Sequence, residues 1–332
     1  MRRPFTWLLV GFPSALLLAL AIFSQTSLGG YLLSGAIGHA RILTSRESIS
    51  WLLASDKLDV QTHAKLELVA QVRAFAATSL GLPQGDSYAH LARIDREHAG
   101  WNVYAAPMLS TRARLWCFPL VGCVVYRGYF SRHEARAFAG KIAAEEQLDT
   151  WVAPFSGYSS LGYLPDPLLS TQLALPPARL AALVIHELAH QRLYLPGRSK
   201  INEAFARLVE REGLKRWLRE RGEYDHLAQM QHRWRESERR ARLAIAARDR
   251  LEKLYASELT HKRKLAHKSE LLLELQQRLC GKDCAHLTTT SMNNAALIPY
   301  TTYNEELASM YQLFALAGED FARFYQLVEE NY

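Results

Sequence analysis

No proline occurs between Gly197 and Ile298. Proline removes a backbone donor and clashes with the turn before it, so a tract this long without one can run as helix over most of its length. The spacing predicts a largely helical region, with 221–280 as a long helix or a hairpin of helices. Its leucines, Leu251, Leu254, Leu265, Leu272, Leu275 and Leu279, are spaced irregularly, which predicts packing against neighbours and excludes a long coiled coil. Between Arg221 and Glu270 there are 13 Lys/Arg against 8 Asp/Glu. With no nucleic-acid motif beside it, that excess reads as a solvated helix face, and nucleic acid is not expected as a partner.

Upstream the pattern changes. Ser55 is placed to cap a helix through DKLDVQTHAKLELVAQVRAFAATSLG that stops at the Gly81-Leu82-Pro83 break. WNVYAAP and LWCFPLVGCVVYRGYF, rich in aromatic and β-branched residues, read as strands and turns. Ser131 opens a further helical run, and TWVAPFSGYSSLGYL returns to strand character. Pro176-Pro177 then starts another helix, Pro177 suiting a first helical position. The expected fold class is α+β, predominantly helical, with a small sheet preceding a central helix. The expected organisation is an N-terminal segment at 1–29, an α+β part at 30–175 and a helical part at 176–332, within which 176–220 and 221–280 are distinct. At 332 residues and 49% hydrophobic, the chain can bury a sizeable core.

The N-terminus places Arg2 and Arg3 before a nearly uncharged apolar run from Phe5 to Phe23. That is the layout of a secretory signal or signal-anchor, so the chain is expected to be exported. The run is about the roughly 20 residues needed to cross a bilayer, while Ala19-Leu20-Ala21 offers a small-residue cleavage site. Cleavage and retention in the membrane both stay open. Four cysteines in two close pairs, Cys117/Cys123 and Cys280/Cys284, agree with an oxidising compartment and allow three pairings.

The chemistry is carried by VIHELAHQRLYLPGRSKINEAFARLVE, residues 184–210. Helical residues four apart share a face about 6 Å apart along the axis, so His186 and His190 can address one ion, with Glu187 turned roughly 100° away. Neutral imidazoles suit zinc, and the adjacent carboxylate can accept a proton from water. Pro196-Gly197 breaks the helix, and the next one returns Glu203 toward the histidines as a third ligand. Glu210, two turns further along the same face, can hydrogen-bond a ligand histidine from behind.

These residues carry a resemblance. VIHELAHQ followed by NEAFARLVE resembles the gluzincin peptidases, and NEAFA is similar to the segment supplying the third zinc ligand in the membrane alanyl aminopeptidase group. Two features depart from that group: a gap of only 12 residues between His190 and Glu203, and the absence of a G-x-M-E-N segment for a substrate's free amine. CFPLVGCVVYRGYF, FSGYSSLGYLPDPLLS, VIHELAHQ, INEAFA and NNAALIPYTTY together resemble a proteobacterial family of predicted aminopeptidases, over roughly residues 30–325, whose members carry an N-terminal export or lipoprotein signal. No cysteine follows the apolar run here, so a lipid-modified cysteine is unavailable.

The resemblance implies a zincin-like core, a zinc ion (Zn2+) on His186, His190 and Glu203, and a zinc peptidase with Glu187 as general base acting on peptides or proteins of the cell envelope. It further implies a periplasmic protein, anchored in the inner membrane of a Gram-negative bacterium if the N-terminal segment is uncleaved. The donor to the oxyanion is sought among Tyr303, Tyr300 and Tyr158, with Tyr303 preferred because it falls in the family-like segment. Ser156 to Gly162 is nominated as a strand edge that holds substrate backbone. Two other readings stay open: an envelope endopeptidase, and a membrane-tethered interaction protein with a vestigial metal site.

Overall fold

The structure is a computed structural model that describes residues 26–118, 122–157, 165–280, 292–302 and 306–332. The apolar run at 5–23, Tyr158, Cys284 and Tyr303 lie outside these residues. No helix among the described residues is long and apolar enough to cross a membrane. The chain runs α1 (Ser27–Thr44), β1 (Arg46–Ser48), α2 (Ile49–Leu53), α3 (Val60–Leu80), β2 (His90–Ala92), β3 (Gly100–Pro107), β4 (Trp116–Phe118), β5 (Gly122–Val124), β6 (Tyr126–Tyr129), α4 (Arg132–Glu145), β7 (Leu148–Phe155) and β8 (Leu168–Leu169). A 3-10 turn at Ser170–Ala174 leads into α5 (Pro177–Arg192), α6 (Ser199–Glu220), α7 (Tyr224–Ala256), α8 (His261–Cys280), α9 (Asn294–Thr302), α10 (Leu307–Leu316) and α11 (Phe321–Asn331). The fold is α+β and mostly helical, with small sheets ordered β1-β2-β8, β6-β3-β7 and β4-β5.

The expected start of α3 is corrected. Asp59, not Ser55, is the N-cap: its carboxylate accepts from Thr62 N (2.9 Å) and from the Thr62 hydroxyl (2.6 Å). A charged acceptor satisfies the orphan amides better than a serine does. The Ser55 hydroxyl instead donates back to the Leu52 carbonyl at 2.8 Å and closes α2. Gly81 ends α3 as expected, with φ +64°.

WNVYAAP lies in β3, which pairs antiparallel with β7 so that Tyr104 faces Trp151, and with β6 on its other side. LWCFPLVGCVVYRGYF supplies β4, β5 and β6, and Cys117 and Cys123 sit opposite each other in register, joined as a disulfide. The nominated substrate edge, Ser156 to Gly162, lies outside the described residues from position 158 onward. Strand β7 stops at Phe155, and Ser156 and Gly157 follow it as irregular chain. The buried Gln172 side chain donates to the Ser156 carbonyl at 2.8 Å and takes it out of strand pairing. The edge strands of that sheet are Leu148–Phe155 and Tyr126–Tyr129.

The main core gathers α3, α5, α6, α10 and α11, with Leu66, Leu180, Ile185, Phe205 and Phe324 fully buried. Phe205 and Phe324 stack at 5.6 Å, and the Tyr325 hydroxyl donates to the Leu80 carbonyl at 2.6 Å. Helices α7 and α8 form the expected hairpin around their own apolar seam, Ala244, Ala247 and Leu251 against Leu272, Leu275 and Leu279.

A polar node ties that hairpin to the sheet. Lys268, 6% exposed, donates to Asp149 Oδ2 (2.5 Å) and to the Met108 carbonyl (2.9 Å). Asp149 also accepts from Asn294 N, and the fully buried Asn294 side chain donates to the carbonyls of Pro107, Met108 and Ser110. Removing one member of a buried ion pair strands the other. Lys268→Ala is therefore expected to lower unfolding free energy by about 3–5 kcal/mol, read from denaturant midpoints at constant slope.

Candidate metal centre

Helix α5 is buried along most of its length, with apolar residues on either side of the motif. A buried helix can hold His186, Glu187 and His190 only if polar partners arrive from elsewhere. They arrive on α6. The turn between the two helices is set by Asn202, 1% exposed, whose side chain accepts from Leu195 N and donates to Leu195 O, both at 2.8 Å. Gly197 takes φ +74° inside that turn, and a side chain at Gly122 of the disulfide-closed β4-β5 hairpin would stand 2.5 Å from Gly197 N. Backbone therefore packs directly on backbone there.

Glu203 consequently returns to the histidines. Its carboxylate lies 3.6 Å from His186 Nε2 and 3.7 Å from His190 Nε2, and the two Nε2 atoms are 3.2 Å apart. Tetrahedral donors 2.0–2.1 Å from one zinc stand roughly 3.3–3.4 Å from each other, so the set fits such an ion. His186 Nδ1 donates to Glu210 Oε2 at 3.0 Å, which makes Nε2 the ring atom turned to the site. His186, His190 and Glu203 could thus hold a metal ion.

The same groups shift one another's pKa values. Burial disfavours charge on His186, but hydrogen bonds to Glu203 and Glu210 outweigh it and raise its pKa to about 10. Burial pushes His190 down to about 4, keeping it neutral. Burial would raise Glu203, yet His186 and His190 together hold it below the usual carboxylate range. Glu187, 7% exposed, is pushed up to about 7, first by burial, with His186 opposing and the charges of Glu203, Asp166 and Glu210 adding to the rise.

Several contributors were not singled out in the sequence. Gly157 lies against Glu187, where a β-carbon would fall 2.1 Å from Oε1. Gln172 fixes this stretch by holding Ser156, and its signal, a lone glutamine in a short 3-10 turn, is invisible to motif reading. Tyr126 of β6 faces the charges of Glu203 and Glu187, and burial followed by those charges keeps its phenol protonated. Of the expected tyrosines, Tyr300 packs against the α7-α8 seam, and Tyr158 and Tyr303 lie outside the described residues. A cleft of about 350 Å³ opens onto His186, Glu187 and Glu210, walled by Met230 and Trp234 of α7.

A family model described as "Putative aminopeptidase" matches residues 30–331. The chain belongs to that family. Membership in the Aminopep family supports a peptidase, in agreement with a metal-binding set beside a buried carboxylate. Searches of curated proteins and of solved structures return no match.

Two substitutions separate the parts of this Aminopep site. Glu210→Ala is expected to weaken zinc affinity about 10–100-fold in a competition titration with a chromophoric chelator. Gly157→Ala is expected to leave that affinity within about twofold while displacing Glu187, so any hydrolysis drops without loss of the ion.

Proposed function

We propose that this protein is a zinc-dependent peptidase of the cell envelope, an aminopeptidase by family, with Glu187 as general base. The observation that carries the reading is the convergence of His186, His190 and Glu203 beside a buried carboxyl group whose pKa is near neutrality. This is the zincin arrangement that the gluzincin resemblance implies. Zinc, when bound, supplies Lewis acidity, polarising a carbonyl and acidifying water.

The chain's own residues do the rest. Glu187 follows His186 on the buried motif helix beside the metal set, and its role is to take the proton of an attacking water and pass it to the leaving amine. Glu210 fixes the His186 tautomer. The family-like segment supports Tyr303 as the oxyanion donor, and the influence of the Glu203 and Glu187 charges on Tyr126 makes that residue the alternative. The Arg2-Arg3 pair with the apolar run at 5–23, together with the Cys117–Cys123 disulfide, supports an exported, periplasmic protein, anchored in the inner membrane if its N-terminal segment is uncleaved.

Elemental analysis of the purified protein is expected to find one zinc per chain, lost in His190→Ala and Glu203→Ala. Glu187→Gln is expected to keep the zinc and lose about 10²–10⁴-fold in peptide hydrolysis. In the same assay, the larger loss between Tyr126→Phe and Tyr303→Phe identifies the oxyanion donor. A wild-type protein that stays metal-free after zinc is offered would overturn the reading.

A further inference from the structure

The cleft beside His186 and Glu187 is lined by arginines from three helices: Arg179 on α5, Arg207 and Arg211 on α6, and Arg233 on α7. Two of them have local partners. Arg207 faces the charge of Glu203, and Arg211 donates to Glu238 with its plane 5.5 Å over Trp234. Arg179 and Arg233 form no ion pair with a carboxylate among the described residues. They also repel one another, and burial together with the Arg233 charge lowers the pKa of Arg179.

On α7 and α8, Arg239 and Arg240 pair with Glu236 and Arg250 pairs with Glu274, while Arg235 and Arg242 form no ion pair among the described residues; what sets Arg179 and Arg233 apart is their place in the cleft beside the metal set. Arg179 also stands in the first turn of α5, where the helix dipole favours an acid and opposes a cation. Arg179 is half-buried and Arg233 exposed, and both line the cleft without a carboxylate partner among the described residues. A guanidinium is a rigid planar donor that matches a carboxylate through two parallel hydrogen bonds.

We propose that Arg179 and Arg233 bind a carboxylate of the peptide substrate in this cleft, with Met230 and Trp234 covering an apolar side chain next to it. The proposal rests on the peptidase reading for the identity of the ligand as a peptide. A cleft built to hold only a free amine would present unpaired carboxylates in place of these arginines. The carboxylate has two possible sources, the C-terminus of a short peptide or an acidic side chain.

The test uses the full-length Glu187→Gln protein, zinc-loaded in detergent, and fluorescence anisotropy with labelled tripeptides of one sequence. One ends in a free carboxylate, one in an amide, and one is amidated with Glu in place of the terminal residue. The free carboxylate is expected to bind roughly tenfold tighter than the amide, an advantage that shrinks as salt rises. Recovery of that advantage by the Glu-containing amide identifies a side chain as the source, and its absence identifies the C-terminus. In R179Q/R233Q the ratio is expected to fall toward one, with partial recovery in R179K/R233K. Equal binding of carboxylate and amide, or binding of neither, overturns the proposal.

Because binding is read in a protein with its base removed, the two readings fail separately. Preference for the carboxylate together with an inactive wild type leaves the arginine site standing and removes the peptidase. Hydrolysis by the wild type without any preference does the reverse.

Discussion

Glu187 is a carboxyl group kept 7% exposed on a helix otherwise packed among leucine, isoleucine and alanine. Burying an ionisable group without partners costs several kcal/mol or drives it neutral, and here both the pKa near 7 and the surrounding structure register that cost. The neighbouring polar groups converge on it from elsewhere in the chain, although His190 Nδ1 stays buried without a hydrogen-bond partner among the described residues. Glu203 and Glu210 come from α6, and the stretch at Gly157 comes from beyond β7, anchored through Gln172. The hairpin turn locked by Asn202 is what makes the first of these meetings possible.

The remainder of the fold serves that arrangement in two layers. The apolar layer, α3 with α5, α6 and the C-terminal pair α10-α11, fixes the orientation of the motif helix by close packing. The polar layer is the node of Asp149, Lys268 and Asn294, which docks the basic α7-α8 hairpin against the sheet. The same hairpin supplies Met230, Trp234 and Arg233 to the cleft wall, so what holds it in place also shapes the space next to the metal set.

Much of this was legible in the chain. The proline-free tract gave helices because nothing in it interrupts backbone bonding, and the i, i+4 histidines needed only helical geometry to share a face. Glu203 was legible because a Pro-Gly break forces a return. What escaped is governed by contacts far apart in sequence. Nothing in WVAPFSGY announces that Gly157 must leave room for Glu187, and Tyr126 looks like any strand aromatic until the charges of Glu203 and Glu187 are seen to act on it. The start of α3 was missed for a local reason: Ser55 and Asp59 are both competent caps, and only the competing demand of α2 for the Ser55 hydroxyl separates them.

The node at Asp149 also sets a schedule for synthesis. Its partner Lys268 lies 119 residues later in the chain, and Asn294 lies 145 later. At translation rates of about 5–20 residues per second, β3 and β7 emerge on the order of ten seconds before the helices that cover them. Through that interval the sheet presents Asp149 unpaired and Tyr104, Ala106 and Trp151 without Ala295 and Ile298, which complete their apolar cluster. The apolar face of the sheet is therefore completed only by a helix that follows it by more than a hundred residues.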